Sequence, residues 1–289
     1  MSRKRATLTG FFAVLFWSAL ALLTVAAAPV PPFQLNAMAF LVGGIIGLGW
    51  IGARGGLAGS LGGIGWPAWL LGVGGLFGYH FLYFSALRLA PAAEAGLIAY
   101  LWPLLIVLFS GLLPGEKLRA MHVAGALISL SGAGLILWGG GAGFDPGYAP
   151  GYLLAAIGAL TWASYSVLSR RVGHIPTTSV AWFCLAASGL SLLAHLAFEV
   201  TTWPEGAIGW AAVLGLGLGP VGLAFYLWDI GVKQGDIQLL GVASYAAPLL
   251  STLILIAFGI TAPTQSLLLA AVLITAGAAL AARASRRNI

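Results

Sequence analysis

Ten apolar runs, each long enough to cross a bilayer, follow one another near residues 8–28, 33–51, 66–87, 92–113, 119–138, 150–170, 177–199, 209–231, 237–260 and 265–283. A hydrocarbon core of about 30 Å takes about 20 helical residues. In lipid the backbone of such a run finds hydrogen-bond partners only in its own helical ladder. An all-α integral membrane bundle of ten transmembrane helices is therefore expected. Turn residues punctuate the runs: Pro29, Pro31 and Pro32; Gly55 and Gly56; Pro91; Pro114 and Gly115; Gly139 to Pro150; Pro176; Pro204; Gly235; Pro263. Only 7% of residues are charged, against about 25% in a soluble domain. Ten spans use about 200 positions, which leaves no room within the 289 residues for a soluble domain.

A net charge of +6 raises the question of nucleic acid. The basic residues are spread singly through short connections rather than gathered into a patch, so no nucleic-acid partner is expected. They act instead as orientation signals. With the N-terminus inside, Arg3, Lys4, Arg5, Arg54, Lys117, Arg119, Arg170, Arg171, Lys233, Arg283, Arg286 and Arg287 are cytoplasmic, and of the 13 only Arg88 falls outside. Ten helices then place both termini in the cytoplasm, in the inner membrane. Arg3 to Arg5, an apolar run and Ala26 to Ala28 imitate a cleavable signal peptide. The run from Leu8 to Ala28 exceeds the usual signal core of about 7–15 residues, so it is expected to stay as the first helix. The single cysteine, Cys184, rules out an intrachain disulfide framework and a cysteine zinc site.

Sliding the chain against itself by 145 positions (248 − 103) brings rare residues into register. Trp17 falls on Trp162, Pro31 on Pro176, Gly44 on Gly189, Gly74 on Gly219, Gly96 on Gly241 and Gly132 on Gly277. Tyr100, Pro103, Leu104 and Leu105 fall on Tyr245, Pro248, Leu249 and Leu250. The chain is thus expected to divide into two repeats, 1–145 and 146–289, of five helices each. Five is odd, so the second repeat starts on the opposite face of the membrane. Inverted repeats of this kind hold substrate sites near the midplane between the halves and support alternating access.

Pro103 and Pro248 sit mid-span in the fourth and ninth helices. Each lacks a donor and crowds the carbonyl four residues back, those of Ala99 and Ser244. Either the pair makes simple packing kinks, or the freed carbonyls line a cavity. The symmetry of the pair favours the cavity. Aromatic residues divide by depth. Trp50, Trp66, Trp69, Trp138, Trp203 and Trp210 lie near span ends, as an interfacial belt requires. Trp17, Trp162, Tyr100, Trp102 and Tyr245 lie deeper, and Tyr79 and Tyr83 share one face of the third helix beside His80. The repeat places Ala224, Phe225 and Trp228 opposite them. Buried hydroxyl and indole N–H groups need partners, so these side chains are expected to point inward. Glu94 opens the fourth helix and Asp229 ends the eighth, positions at which hydrated interfacial carboxylates are expected. Gly217 to Gly222 matches the pattern G-x-G-x-x-G without the strand-turn-helix setting of a dinucleotide site; small residues there let helices approach closely. No zinc-protease, Walker or nucleophile-elbow motif occurs, so neither a cofactor nor an enzymatic activity is expected.

Ten helices in two inverted repeats, the paired Trp17 and Trp162, and the segments Tyr100-Leu-Trp-Pro103 and Tyr245-Ala-Ala-Pro248 resemble the drug/metabolite transporter superfamily, of EamA type, over Leu8 to Arg283. Pro114-Gly115-Glu116 is similar to that family's helix-ending Gly-Glu. The second half has Ile260-Thr261 there, which points to a structural role for Glu116. The density of deep aromatics resembles the YddG-type exporters of aromatic amino acids. The resemblance implies a cavity among helices one, three, four, six, eight and nine, through which aromatic and other apolar amino acids leave the cytoplasm by alternating access. Trp17, Tyr79, His80, Tyr83, Tyr100, Trp102, Trp162, Phe225, Ser244 and Tyr245 are the expected substrate-binding residues, with Pro103 and Pro248 as hinges. The expected partners are the small-molecule substrate and the lipid bilayer, with the chain a monomer or homodimer. Aromatic rings suit flat apolar ligands and hold an ammonium by cation–π attraction. A multidrug or lipophilic-cation efflux carrier of the same fold is the alternative. A channel or an intramembrane enzyme fits less well, because neither a repeated polar filter nor a convergent acid, base or metal set is evident.

Overall fold

A computed structural model describes residues 1–57, 59–137, 145–173 and 175–286; Trp138, Arg287 and the 139–144 half of the 139–150 connection lie outside them. All regular structure among the described residues is helical. Ten helices there are long and apolar enough to cross a membrane: α1 (Arg3–Ala26), α2 (Pro32–Ala53), α3 (Trp66–Leu89), α4 (Ala92–Ser110), α5 (Ala120–Leu137), α6 (Pro146–Arg171), α7 (Ser179–Phe198), α8 (Gly206–Gln234), α9 (Ile237–Ala257) and α10 (Gln265–Ser285). Prolines open α2, α3 and α6, where a missing N–H costs nothing because the first turn has no intrahelical acceptor.

The helix pairing carries the repeat. The closest partners are α5 with α10, α2 with α7, α1 with α8, and α3 with α6. Exchanging the halves maps the first two pairs onto themselves and swaps the last two. Small residues bring α5 and α10 together: a Cβ built on Gly125 would lie 2.6 Å from the Gly277 carbonyl oxygen. In lipid, where apolar burial between helices drives little, such backbone approach supplies the packing energy.

The two repeats carry matching irregularities, the π segments at the 145-residue offset and the helix breaks one residue short of it (244 − 100 = 144). α3 widens into a π segment at Gly74–Gly78, and α8 at Gly219–Leu223 (219 − 74 = 145). α4 breaks at Tyr100 and Leu101, and α9 at Ser244 and Tyr245. The prolines do not sit at the bends themselves. Pro103 lies in the first turn after its break and Pro248 follows just behind its own. These defects release backbone groups, and deep side chains take them up. His80 Nδ1 lies 2.7 Å from the Leu76 carbonyl oxygen. Trp17 Nε1 donates to Pro220 O at 3.1 Å, and the Leu104 N–H donates to the Tyr245 hydroxyl at 3.1 Å.

Charged residues sit at the two ends of the bundle. At the end bearing Arg3, Glu116 bridges Arg3 (3.0 Å) and Arg170, while Arg170 Nε donates to Val232 O at 2.7 Å. The structure thus gives Glu116 a bridging role. Lys233 pairs with Asp229 at 2.8 Å, and Thr177 Oγ1 donates to the same carboxylate at 2.6 Å. At the other end Glu199 accepts from Arg88 (2.8 Å), from His195 Nδ1 (3.0 Å), and from the Phe33 and Gln34 N–H groups opening α2 (3.0 and 3.1 Å). The exceptional cation of the charge pattern, Arg88, is therefore neutralised. Its repeat mate Lys233 is paired too, at the opposite end.

Two expectations need correction here. Glu94 and Asp229 are only 3% and 4% exposed, not hydrated interfacial groups. Packing of α4 against α6 covers Glu94, which accepts from the Tyr152 hydroxyl, and Asp229 is enclosed by Lys233 and Thr177.

Candidate central cavity

α1, α3, α4, α6, α8 and α9 surround a cavity of about 150 Å³ at mid-depth. Its walls include Trp17, Tyr79, His80, Tyr83, Tyr100, Trp102, Trp162 and Phe225, all singled out from the sequence. Ala99, whose carbonyl the Pro103 argument pointed to, also lines it, while Leu20, Pro220, Val221 and Ala247 complete the lining without having been singled out. The offset offers a signal for some of these. Ala247 occupies the place of Trp102, and Pro220 that of Gly75. At the first of these positions an indole of the first repeat is answered by a methyl group in the second, an asymmetry that leaves space open.

Ser244 and Tyr245 do not line the cavity, which corrects the symmetry-based expectation. The Ser244 hydroxyl donates to Leu240 O at 2.8 Å within α9. Tyr245 is 0% exposed and packs with Val107, Ala126 and Ile274, its hydroxyl spent on Leu104. The break in α9 rotates Tyr245 toward α4 and α5, so it supports the bend in α4 instead of touching the cavity.

Three indoles, Trp17, Trp102 and Trp162, form the cavity's inner wall, and a fourth, Trp228, backs them. Trp17 lies 5.1 Å from Trp228, 5.8 Å from Trp162 and 6.0 Å from Trp102, centroid to centroid, with the last two edge to face. Trp228 is fully buried behind them, its N–H bonded to Ser166 Oγ at 3.0 Å. Such edge-on contacts are favoured by the ring quadrupoles and hold the wall rigid. Continuing from Trp162, Tyr79 and Tyr83 stack in parallel at 5.9 Å, and His80 meets Phe225 edge-on at 6.1 Å. From Trp17 to Leu20 and from Tyr79 to Tyr83 the lining climbs toward the end bearing Arg88. At the end bearing Arg3, α1 and α8 pack tightly, a Cβ on Gly10 lying 2.8 Å from Gly231 Cα, and Glu116 bridges Arg3 and Arg170.

The polar chemistry follows from what the lining side chains already bond. A carbonyl only accepts, so His80 Nδ1 carries a proton and Nε2 remains as an acceptor. The hydroxyls of Tyr79, Tyr83 and Tyr100 and the N–H groups of Trp102 and Trp162 bond to no described residue. The described lining holds no Asp, Glu, Lys or Arg. The cavity therefore offers aromatic faces, several neutral donors and one neutral acceptor. No group of three or more metal-ligating side chains occurs among the described residues.

A ten-helix bundle with repeat-related breaks around a midplane cavity defines a membrane carrier. The EamA-like transporter family matches residues 4–138 and again 149–283, and the chain belongs to that family. The aromatic amino acid exporter YddG of Ancylobacter novellus is 57% identical over 289 residues, spanning 99% of this chain and 100% of the relative. The exporter of the same name from Escherichia coli K12 is 28% identical over 87% of this chain and 88% of its own. The biotin transporter of that bacterium is 26% identical over 56% of this chain and 55% of its own. One solved crystal structure, 56% identical, superposes with a TM-score of 0.94 over 99% of this chain and 100% of that one.

Proposed function

We propose that this transporter exports aromatic and other apolar amino acids from the cytoplasm by alternating access, the halves 1–145 and 146–289 rocking about the central cavity. The observation that carries the reading is the aromatic wall with unpaired neutral donors and one neutral acceptor. Flat rings stack on Tyr79, Tyr83 and the indoles, each contact contributing about 0.5–1.5 kcal/mol beyond area burial. The substrate carboxylate takes the tyrosine hydroxyls and indole N–H groups; its ammonium takes His80 Nε2 and the ring faces. The 57% identical exporter supports the same substrate class. A lining without a carboxylate disfavours the lipophilic-cation alternative, since a bare cation would gain only ring faces. With both termini on the cytoplasmic side of the inner membrane, the tight packing of α1 against α8 at the Arg3 end supports reading this as the state closed to the cytoplasm. The chain works as a monomer or homodimer. At about 150 Å³ the cavity is smaller than the about 300–1,000 Å³ of most small-molecule sites, so substrate enters as the helices move.

Counterflow of labelled tryptophan, phenylalanine, alanine and a lipophilic cation in proteoliposomes, with and without a pH gradient, tests the reading. Aromatic amino acids are expected to exchange fastest. Cation transport without amino acid transport would overturn it.

A further inference from the structure

A second cavity, of about 610 Å³, opens sideways between α3 and α6, away from the central one. The two helices pack closely beyond Tyr79 and splay apart before it, where the π segment of α3 meets Tyr165. A Cβ on Gly75 would lie 2.3 Å from the Tyr165 ring, so that ring wedges the helices open. Leu70, Ile157, Leu160 and Leu168 form the rims, and all four are exposed on the bundle's outer face. Such a face meets acyl chains, not water. The groove is particular to this pair of helices. At the repeat-related position between α1 and α8, Gly215 stands in place of Leu70. Leu23, the mate of Leu168, closes the gap there, within 3.3 Å of a Cβ placed on Gly215.

Its length and charge indicate the occupant. From Trp66 to Gly75 the groove runs about 14 Å along α3 at about 1.5 Å per residue. That is about half of a 30 Å hydrocarbon core, the depth of one leaflet. At the mouth stands Arg171, exposed, its Nη2 donating to Leu112 O at 3.3 Å. No carboxylate among the described residues lies within 4 Å of it, whereas neighbouring Arg170 is paired with Glu116. We propose that this groove binds one acyl chain of an anionic glycerophospholipid, with its phosphate at Arg171 and its chain reaching the α3 π segment. Tyr165 touches both this site and Trp162 (5.2 Å), so the lipid buttresses the wall of the central cavity from behind.

The test is lipid titration of delipidated full-length protein by native mass spectrometry, with phosphatidylglycerol and phosphatidylethanolamine as probes. The first phosphatidylglycerol should bind about fivefold tighter than phosphatidylethanolamine, the size expected of one basic residue at the surface. Arg171→Gln should erase that preference while leaving chain binding. A Cβ on Gly74 meets nothing within 4 Å, so Gly74→Leu fills the groove and should abolish binding of both lipids. Ser164→Leu provides a second, independent filling variant, and size-exclusion profiles report whether each variant is folded. Glycerol 3-phosphate should not compete, because it lacks the chain. Equal affinity for the two lipids, a preference surviving in Arg171→Gln, or binding unchanged in a folded groove-filling variant would overturn the proposal. So would a photoreactive amino acid labelling the groove, which would make it a lateral substrate path.

Discussion

At Tyr79, Tyr83 and Tyr100 the ring faces and hydroxyls belong to the cavity, whereas Trp17, Tyr226 and Trp228 spend their polar atoms on Pro220 O, Gly43 O and Ser166 Oγ. The first group is free to answer a ligand and the second holds the wall. Alanine at Tyr79, Tyr83 or Tyr100 is therefore expected to weaken transport of tryptophan and phenylalanine about two- to tenfold, the equivalent of one lost aromatic contact. Alanine transport should change less, and competition assays on the purified variants measure the difference. Alanine at Trp210, which stacks on Trp203 away from the cavity lining, should lower thermal stability while keeping the ratio between substrates. A second residue-scale prediction concerns Glu199. Its carboxylate meets two N–H groups of the first turn of α2, as well as Arg88 and His195. Glu199→Gln removes the charge at that helix start and is expected to cost about 2 kcal/mol, read as a lower Tm in a dye-based melt.

At the scale of helices the irregular segments matter more than the regular ones. Pro103→Ala and Pro248→Ala restore a donor and remove the steric block behind each break, favouring a straight helix by up to about 3 kcal/mol. Both variants should fold, and both should turn over more slowly in proteoliposomes, because the bend becomes costlier to keep. Tyr245 holds the bend in α4 through Leu104, so Tyr245→Phe should slow turnover without changing substrate preference. The spans and their proline signals were legible because a 20-residue apolar run admits one structure in lipid. The deep aromatics were legible because rarity made the offset plain. Tyr245 was misread for a physical reason: an offset relates backbone positions, while the break one turn before Pro248 decides which way the side chain faces. The π segments left only the Gly74 and Gly219 match as a trace, since no side-chain pattern marks a helix that gains one residue in a turn.

Across the whole molecule, the two repeats differ where function requires them to differ. Trp17 and Trp162 are repeat mates and both line the cavity, but Ala247 faces Trp102 and Phe225 faces His80. The ends differ as well: among the described residues, the Arg3 end alone carries a carboxylate bridging two arginines, from α1 and α6. The inverted arrangement leads to a prediction about topology that a single offset position pair can decide. Leu89 and Gln234 are mates at 145 residues, both exposed, and both next to the paired cations Arg88 and Lys233 without taking part in their ion pairs. Cys184, fully buried in the apolar core, is the single cysteine, so Cys184→Ala gives a background free of other thiols. In that background Leu89→Cys should react with a membrane-impermeant maleimide added to intact spheroplasts. Gln234→Cys should react only after the membrane is opened. Positive residues gathered at the Arg3 end are the reason for placing Gln234 inside, since short loops rich in lysine and arginine are retained in the cytoplasm. Labelling of both positions from the same side would remove the inversion of the halves, and alternating access between them would lose its structural basis. Labelling from opposite sides but with Gln234 outside would keep the inversion and reverse the direction of export.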